Sequence, residues 1–252
     1  MRYSVGLGGF ILACALSGVT AVSAVALEAP EIGRCVAKAG GQFTTNLCIK
    51  KAAAGKTGSF EWEPGAVKVK FKGTGGTATL ETVHKVKVSC KTEASVGEYI
   101  SPKTVGNISV TFTGCESVGF KCKTALAAEG EIVTNLLAGT LRWENATKTK
   151  VAIDLVPQAG ELFVEFACGP ANDLVKGSVM TNIPVDIVKT TFEQKFTAKT
   201  GKQKPEFYYT ASGEKVKDVL LSKLGGTEFE QAGQTVTNLQ TDEEPLEVNR
   251  FF

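Results

Sequence analysis

The sequence predicts an all-β fold: an antiparallel β-sandwich or β-barrel of short, hairpin-connected strands, stabilised by disulfides. Three observations predict it. Apolar residues alternate with polar ones over short runs bounded by glycine-rich turns. No long stretch carries the 3.6-residue period of an amphipathic helix. An even set of cysteines follows an export-like leader. Such spacing suits a sandwich or a barrel equally, since alternation assigns faces and not neighbours.

The leader is residues 1–26, read as a secretory signal peptide. Arg2 makes a positive start, Val5 to Val22 is uncharged and mostly apolar, and Ala24-Val25-Ala26 has the spacing of a cleavage site. A second such site, Val22-Ser23-Ala24, leaves cleavage after Ala24 or Ala26. The run from Val5 to Leu27 could just span a bilayer, but the small residues crowding its end favour cleavage over a retained anchor. No other apolar run is long enough to cross a membrane. A secreted protein, extracellular or associated with the cell envelope, is expected.

The charges nearly balance, with 28 Lys+Arg against 26 Asp+Glu, and Arg2 departs with the leader. That balance gives no electrostatic footprint for nucleic acid or for an anionic membrane. Cys14 also departs, leaving Cys35, Cys48, Cys90, Cys115, Cys122 and Cys168. In an exported chain these read as three disulfides. Proximity in sequence pairs Cys35 with Cys48 and Cys115 with Cys122, so Cys90 pairs with Cys168. No C-x-x-C occurs and His84 is the single histidine, so neither a metal site nor a cofactor is expected.

The rest, 27–252, reads as one β-rich domain. Residues 27–65 form an irregular cap pinned by Cys35–Cys48, with a turn at Ala39-Gly40-Gly41 and a helical turn or two within Asn46 to Ala54. Val67, Val69 and Phe71 then alternate with three lysines. Taking Gly73 to Gly76 as a hairpin loop sets Phe71 against Ala78, Val69 against Leu80 and Val67 against Thr82. The same parity carries His84, Val86, Val88 and Cys90 inward. A second hairpin is expected around Pro157 to Gly160, with Leu155 against Leu162, Ile153 against Val164 and Val151 against Phe166. Cys168 then faces inward too, which makes it a reasonable partner for Cys90. Between the hairpins, Ile108, Val110 and Phe112 lead into the cysteine turn. Later strands are expected within 176–188, 191–197, 206–210, 218–224, 227–237 and 246–249.

Few residues suggest chemistry. His84 reads as a structural imidazole, because no nucleophile motif accompanies it. Asp154, Glu161 and Glu165 share the outer face of the second hairpin, at a spacing close to that of a glycosidase acid–base pair. A solvated acidic face explains them more simply. Trp62 and Trp143 each stand beside charged residues, as at sugar-binding platforms, and Lys68 and Lys70 could meet an anionic wall polymer. Core packing and edge protection are the plainer readings.

PEIGRC (30–35), GSFEWEPG (58–65), FTGCESVGFKC (112–122), GEIVTN (130–135) and FEQAGQT (229–235) together resemble a family of secreted, β-rich, cysteine-containing proteins of soil actinobacteria. The resemblance spans nearly all the mature chain and implies a bacterial host, export and a β fold. It brings no activity, ligand or catalytic residue. The expected function is thus a secreted, non-enzymatic envelope-associated or binding protein, with a cell-wall polymer or glycan as the partner class. A carbohydrate-active hydrolase using Asp154 with Glu161 or Glu165, and a purely structural surface protein, are the alternatives.

Overall fold

The computed structural model describes residues 30–65 and 68–250. The expected signal peptide and Val67 lie outside them. Strand makes up 64% of the structure and helix none of it, so the all-β expectation holds, and the architecture is a closed antiparallel eight-stranded barrel with additional strands. Between Asn46 and Ala54, where helical turns were expected, there are isolated turns and bends and one bridge residue, Lys51, paired antiparallel with Phe43.

The chain opens with β1 (Glu31–Gly41) and β2 (Gly58–Pro64), followed by β3 (Lys70–Gly75), β4 (Ala78–Thr82), β5 (Lys87–Cys90) and β6 (Thr92–Ser101). Next come β7 (Thr104–Thr113), β8 (Glu116–Ser117), β9 (Phe120–Lys123), β10 (Glu131–Val133), β11 (Leu137–Trp143), β12 (Val151–Pro157) and β13 (Leu162–Cys168). They are followed by β14 (Ala171–Gly177), β15 (Val179–Ile183), β16 (Lys189–Lys199), β17 (Lys202–Lys204), β18 (Phe207–Tyr209), β19 (Lys215–Lys217), β20 (Leu220–Ser222) and β21 (Glu230–Asn249).

The segment expected to be irregular contains a paired ribbon. β1 and β2 run antiparallel, with Cys35 opposite Trp62, and the start of β1 also pairs with the end of β21. Phe43, Cys48 and Trp62 form a small core of their own beneath this ribbon.

Two circuits of strand pairing share the 20-residue β21. One runs β21–β3–β6–β7–β11–β12–β15, and closes where β15 lies beside β16, itself paired to β21. The other runs β21–β4–β5–β8–β9–β13–β14–β20 and back to β21. Most short strands are therefore halves of longer ones. β3 and β4 both pair with β21 along one line, as do β5 and β6 with β7 and β8.

This arrangement corrects both expected hairpins. Gly73 to Gly76 is no turn: β3 passes straight into β4, and the reversal comes at Val83 to Val86, where the Thr82 amide donates to the Val86 carbonyl at 2.9 Å. Phe71 consequently faces Gly97 and Asp242 instead of Ala78. Likewise β12 and β13 are not partners. β12 lies between β11 and β15, while β13 lies between β14 and β9. Pro157 to Gly160 is an excursion within a strand that keeps its direction, and the reversal comes after Cys168. The inward parity nevertheless survives: Phe71, Ala78, Val88, Ile153, Val164 and Phe166 all belong to the core. A shift of one residue between β3 and β4 preserves it, as a β-bulge does.

Cys35–Cys48 forms as expected, but the other two bridges are Cys90–Cys115 and Cys122–Cys168. Cys115 and Cys122 do face each other, the Cys122 amide donating to the Cys115 carbonyl at 3.0 Å. Each sulfur turns away from the other within the core, to the strand beyond. β5 flanks β8, and β13 flanks β9 with Cys168 directly opposite Cys122. The β8–β9 ribbon separates Cys90 from Cys168. Each of these two bridges ties neighbouring strands across a sequence separation of 25 or 46 residues. Three disulfides are consistent with an extracellular setting, and no helix among the described residues is long and apolar enough to cross a membrane.

Candidate ligand-binding site

The barrel encloses a cavity of about 90 Å³ within the first circuit. Its wall is mainly apolar, with Ile108, Leu137, Ile153 and Phe196 among the buried contributors. It adjoins a second space of about 80 Å³ within the other circuit, and Phe112 and Phe163 line both.

One side of the cavity is polar. Alternation along β6 turns Glu93, Ser95 and Tyr99 inward, and alternation along β21 turns Asn238, Gln240 and Asp242 inward. β3 runs between these strands. It places Gly75 between Glu93 and Asn238, and Gly73 between Ser95 and Gln240. A Cβ on Gly73 would stand 2.3 Å from Ser95 Oγ and 2.4 Å from Asn238 Oδ1; one on Gly75 would stand 2.5 Å from Glu93 Oε2. The glycines clear the floor over which polar side chains from two non-adjacent strands meet.

They meet in two groups. Asn238 Nδ2 donates to Glu93 Oε1 at 3.1 Å and to Ser95 Oγ at 3.0 Å. Further along, the Tyr99 hydroxyl donates to Asp242 Oδ1 at 3.0 Å, and Gln240 Nε2 donates to the same oxygen at 2.7 Å. Glu93 and Asp242 are only 5% and 3% exposed. Burial raises the Glu93 carboxyl to about 7, against a smaller lowering by Ser95, and raises Asp242 to about 6, against Gln240 and Tyr99. Glu93 Oε2, Asn238 Oδ1 and Asp242 Oδ2 are buried without a hydrogen-bond partner among the described residues. A buried acceptor left unpaired costs about 1–3 kcal/mol, and these three oxygens keep unused capacity to accept hydrogen bonds.

The residues singled out from sequence lie elsewhere. Trp62 and Trp143 are 5% and 3% exposed, so neither offers a flat face to a sugar, and the expected glycan platform loses its support. Lys68 and Lys70 are exposed on the outside of the wall, where Lys70 stands opposite Glu98 and its amide donates to Glu243 at 3.2 Å, so the lysine face is interrupted by acids. His84 is not inward: it sits in the turn after β4, its side chain 80% exposed, paired with Glu230.

The three carboxylates of the hydrolase alternative do not converge. Asp154 does face outward from the barrel, but it is buried, 3.5 Å from Arg142 Nε. Arg142 in turn stacks 4.5 Å from the Tyr208 ring, so β18 and β19 cover this patch. Glu161 is solvent-exposed at the excursion beside Lys176, and Glu165 is exposed on β13, in the other circuit. Among the described residues, no group of His, Cys, Asp and Glu is arranged to hold a metal ion.

The polar stripe was missed because β21 reads as two strands, 227–237 and 246–249, with Asn238 to Asp242 falling in the gap. The signal was present: polar residues at every second position, Asn238, Gln240 and Asp242, matched by Glu93 and Ser95. Comparison of the chain with family models, with curated proteins and with solved structures finds no match in any of the three.

Proposed function

We propose that this is a secreted, non-enzymatic binding protein that holds a small, largely apolar molecule inside its barrel. One observation carries the reading: a mainly apolar cavity bears three buried acceptor atoms, on Glu93, Asn238 and Asp242, that no described residue satisfies. Concave apolar spaces with a few convergent polar groups are the usual form of small-molecule sites. A purely structural barrel would gain more from apolar residues at these positions, since burying Glu93 and Asp242 opposes folding. The disulfides suit a carrier exposed to an oxidising medium.

The test is uptake of a neutral probe. Isopentanol, titrated into the full mature chain and followed by protein NMR, should shift resonances of residues lining the cavity. Val179→Phe, which fills the space from β15, should abolish those shifts while leaving a cooperative fold. Absence of any uptake by the native protein would sink the reading.

A further inference from the structure

The acceptor stripe also restricts the chemistry of the occupant, granted that the cavity is a binding site. Both amide hydrogens of Asn238 are spent, one on Glu93 Oε1 and one on Ser95 Oγ. What Asn238 and Glu93 still present are two bare acceptors, Oδ1 and Oε2. These atoms lie over the side-chain-free backbone of Gly73 and Gly75 respectively. The two side chains are joined at 3.1 Å through Asn238 Nδ2 and Glu93 Oε1, and their free oxygens overlie the same short stretch of β3. Gln194, opposite Asn238 on β16, completes the polar rim.

Charge narrows the choice further. No lysine or arginine among the described residues forms an ion pair with Glu93. Lys189, the cation in the cavity lining, is exposed and pairs with neither cavity carboxylate. A group with several donors, no acceptor and a positive charge is what such a seat lacks, and an ammonium has all three properties. A hydroxyl would bring one donor and no charge. A carboxylate would add repulsion.

We infer that the barrel binds a small primary amine, its ammonium seated on Glu93 Oε2 and Asn238 Oδ1 and its hydrocarbon body against the apolar wall. A cavity of about 90 Å³ is on the scale of engineered apolar cavities that hold a benzene-sized guest, so a body of about five carbons fits. The interaction is non-covalent.

Isopentylamine and isopentanol differ at one heavy atom and make the test. Each is titrated into the full mature chain at a pH above 7, where Glu93 is ionised, and the two affinities are compared by protein NMR. The amine is expected to bind at least ~10-fold more tightly, as a charge-assisted bond exceeds a neutral one by that order. Glu93→Gln should erase the difference while isopentanol still binds, which also shows that the variant is folded. Equal affinities in the native protein, or amine shifts that map outside the cavity, would overturn the amine assignment and leave the cavity reading standing. Failure of both compounds to bind would overturn both.

Discussion

Asn238 reaches Ser95 across a strand that belongs to neither of them. Its Nδ2 donates to Ser95 Oγ at 3.0 Å from β21 to β6, with β3 between, and the contact exists because position 73 is glycine. The wall of the barrel is thinned at one point so that polar groups from its flanking strands can close over it.

The glycine requirement is directly testable. Gly73→Ala should destabilise the protein by about 1–3 kcal/mol, since the new methyl meets Ser95 and Asn238 where overpacking has no cheap outlet. Gly76→Ala, whose Cβ would meet nothing within 4 Å, should change stability by no more than about 0.5 kcal/mol. Urea unfolding of both variants checks the contrast. Equal effects would mean that residues 73–76 act as a turn after all.

Disulfide pairing gives the second prediction. A non-reduced digest should yield Cys90 linked to Cys115 and Cys122 linked to Cys168. Replacing both members of either pair by serine should cost about 3–4 kcal/mol from loop-closure entropy. A peptide joining Cys115 to Cys122 would contradict the strand order as well as the bridges.

Stability should depend on pH with an unusual sign. Burial raises the carboxyls of Glu93, Asp218 and Glu247 to about 7 and those of Asp173 and Asp242 to about 6. The folded state therefore binds more protons than the unfolded chain between about pH 4 and pH 7, and stability falls as pH rises through that window. Thermal melts should show a lower Tm at pH 7 than at pH 5. Glu93→Gln should flatten part of this slope, worth on the order of 1–2 kcal/mol. A Tm that climbs from pH 5 to pH 7 would show these acids to be solvated.

The covered patch on the outer wall should act as a latch. Arg142 serves Asp154 at 3.5 Å and also lowers the Asp218 carboxyl, which burial and then Asp154 raise. Arg142→Ala removes the shared cation and the stacking on Tyr208. It should cost about 1–3 kcal/mol, less than a fully buried pair because the arginine is partly exposed. Proteolysis should then cut first within 200–218. Unchanged resistance there would show that β18 and β19 are held by other contacts.

The sequence by itself determined the all-β class, the inward parity of Phe71, Val88, Cys90, Ile153, Phe166 and Cys168, and the local bridge Cys35–Cys48. These follow from period-two alternation and from proximity along the chain, both of which are local. Only the tertiary structure decided which strands lie side by side. Alternation says which face a residue takes and nothing of its neighbour across the sheet, so Gly73 to Gly76 and Pro157 to Gly160 look like turns although the strands run on through them. Closure of the two circuits on β21 then fixed the rest. It set Cys115 beside Cys90 and Cys122 beside Cys168. It also brought Asn238 to Glu93 and Ser95, which lie 145 and 143 residues before it in the chain, around one bare stretch of backbone, because a barrel makes neighbours of its last strand and its first.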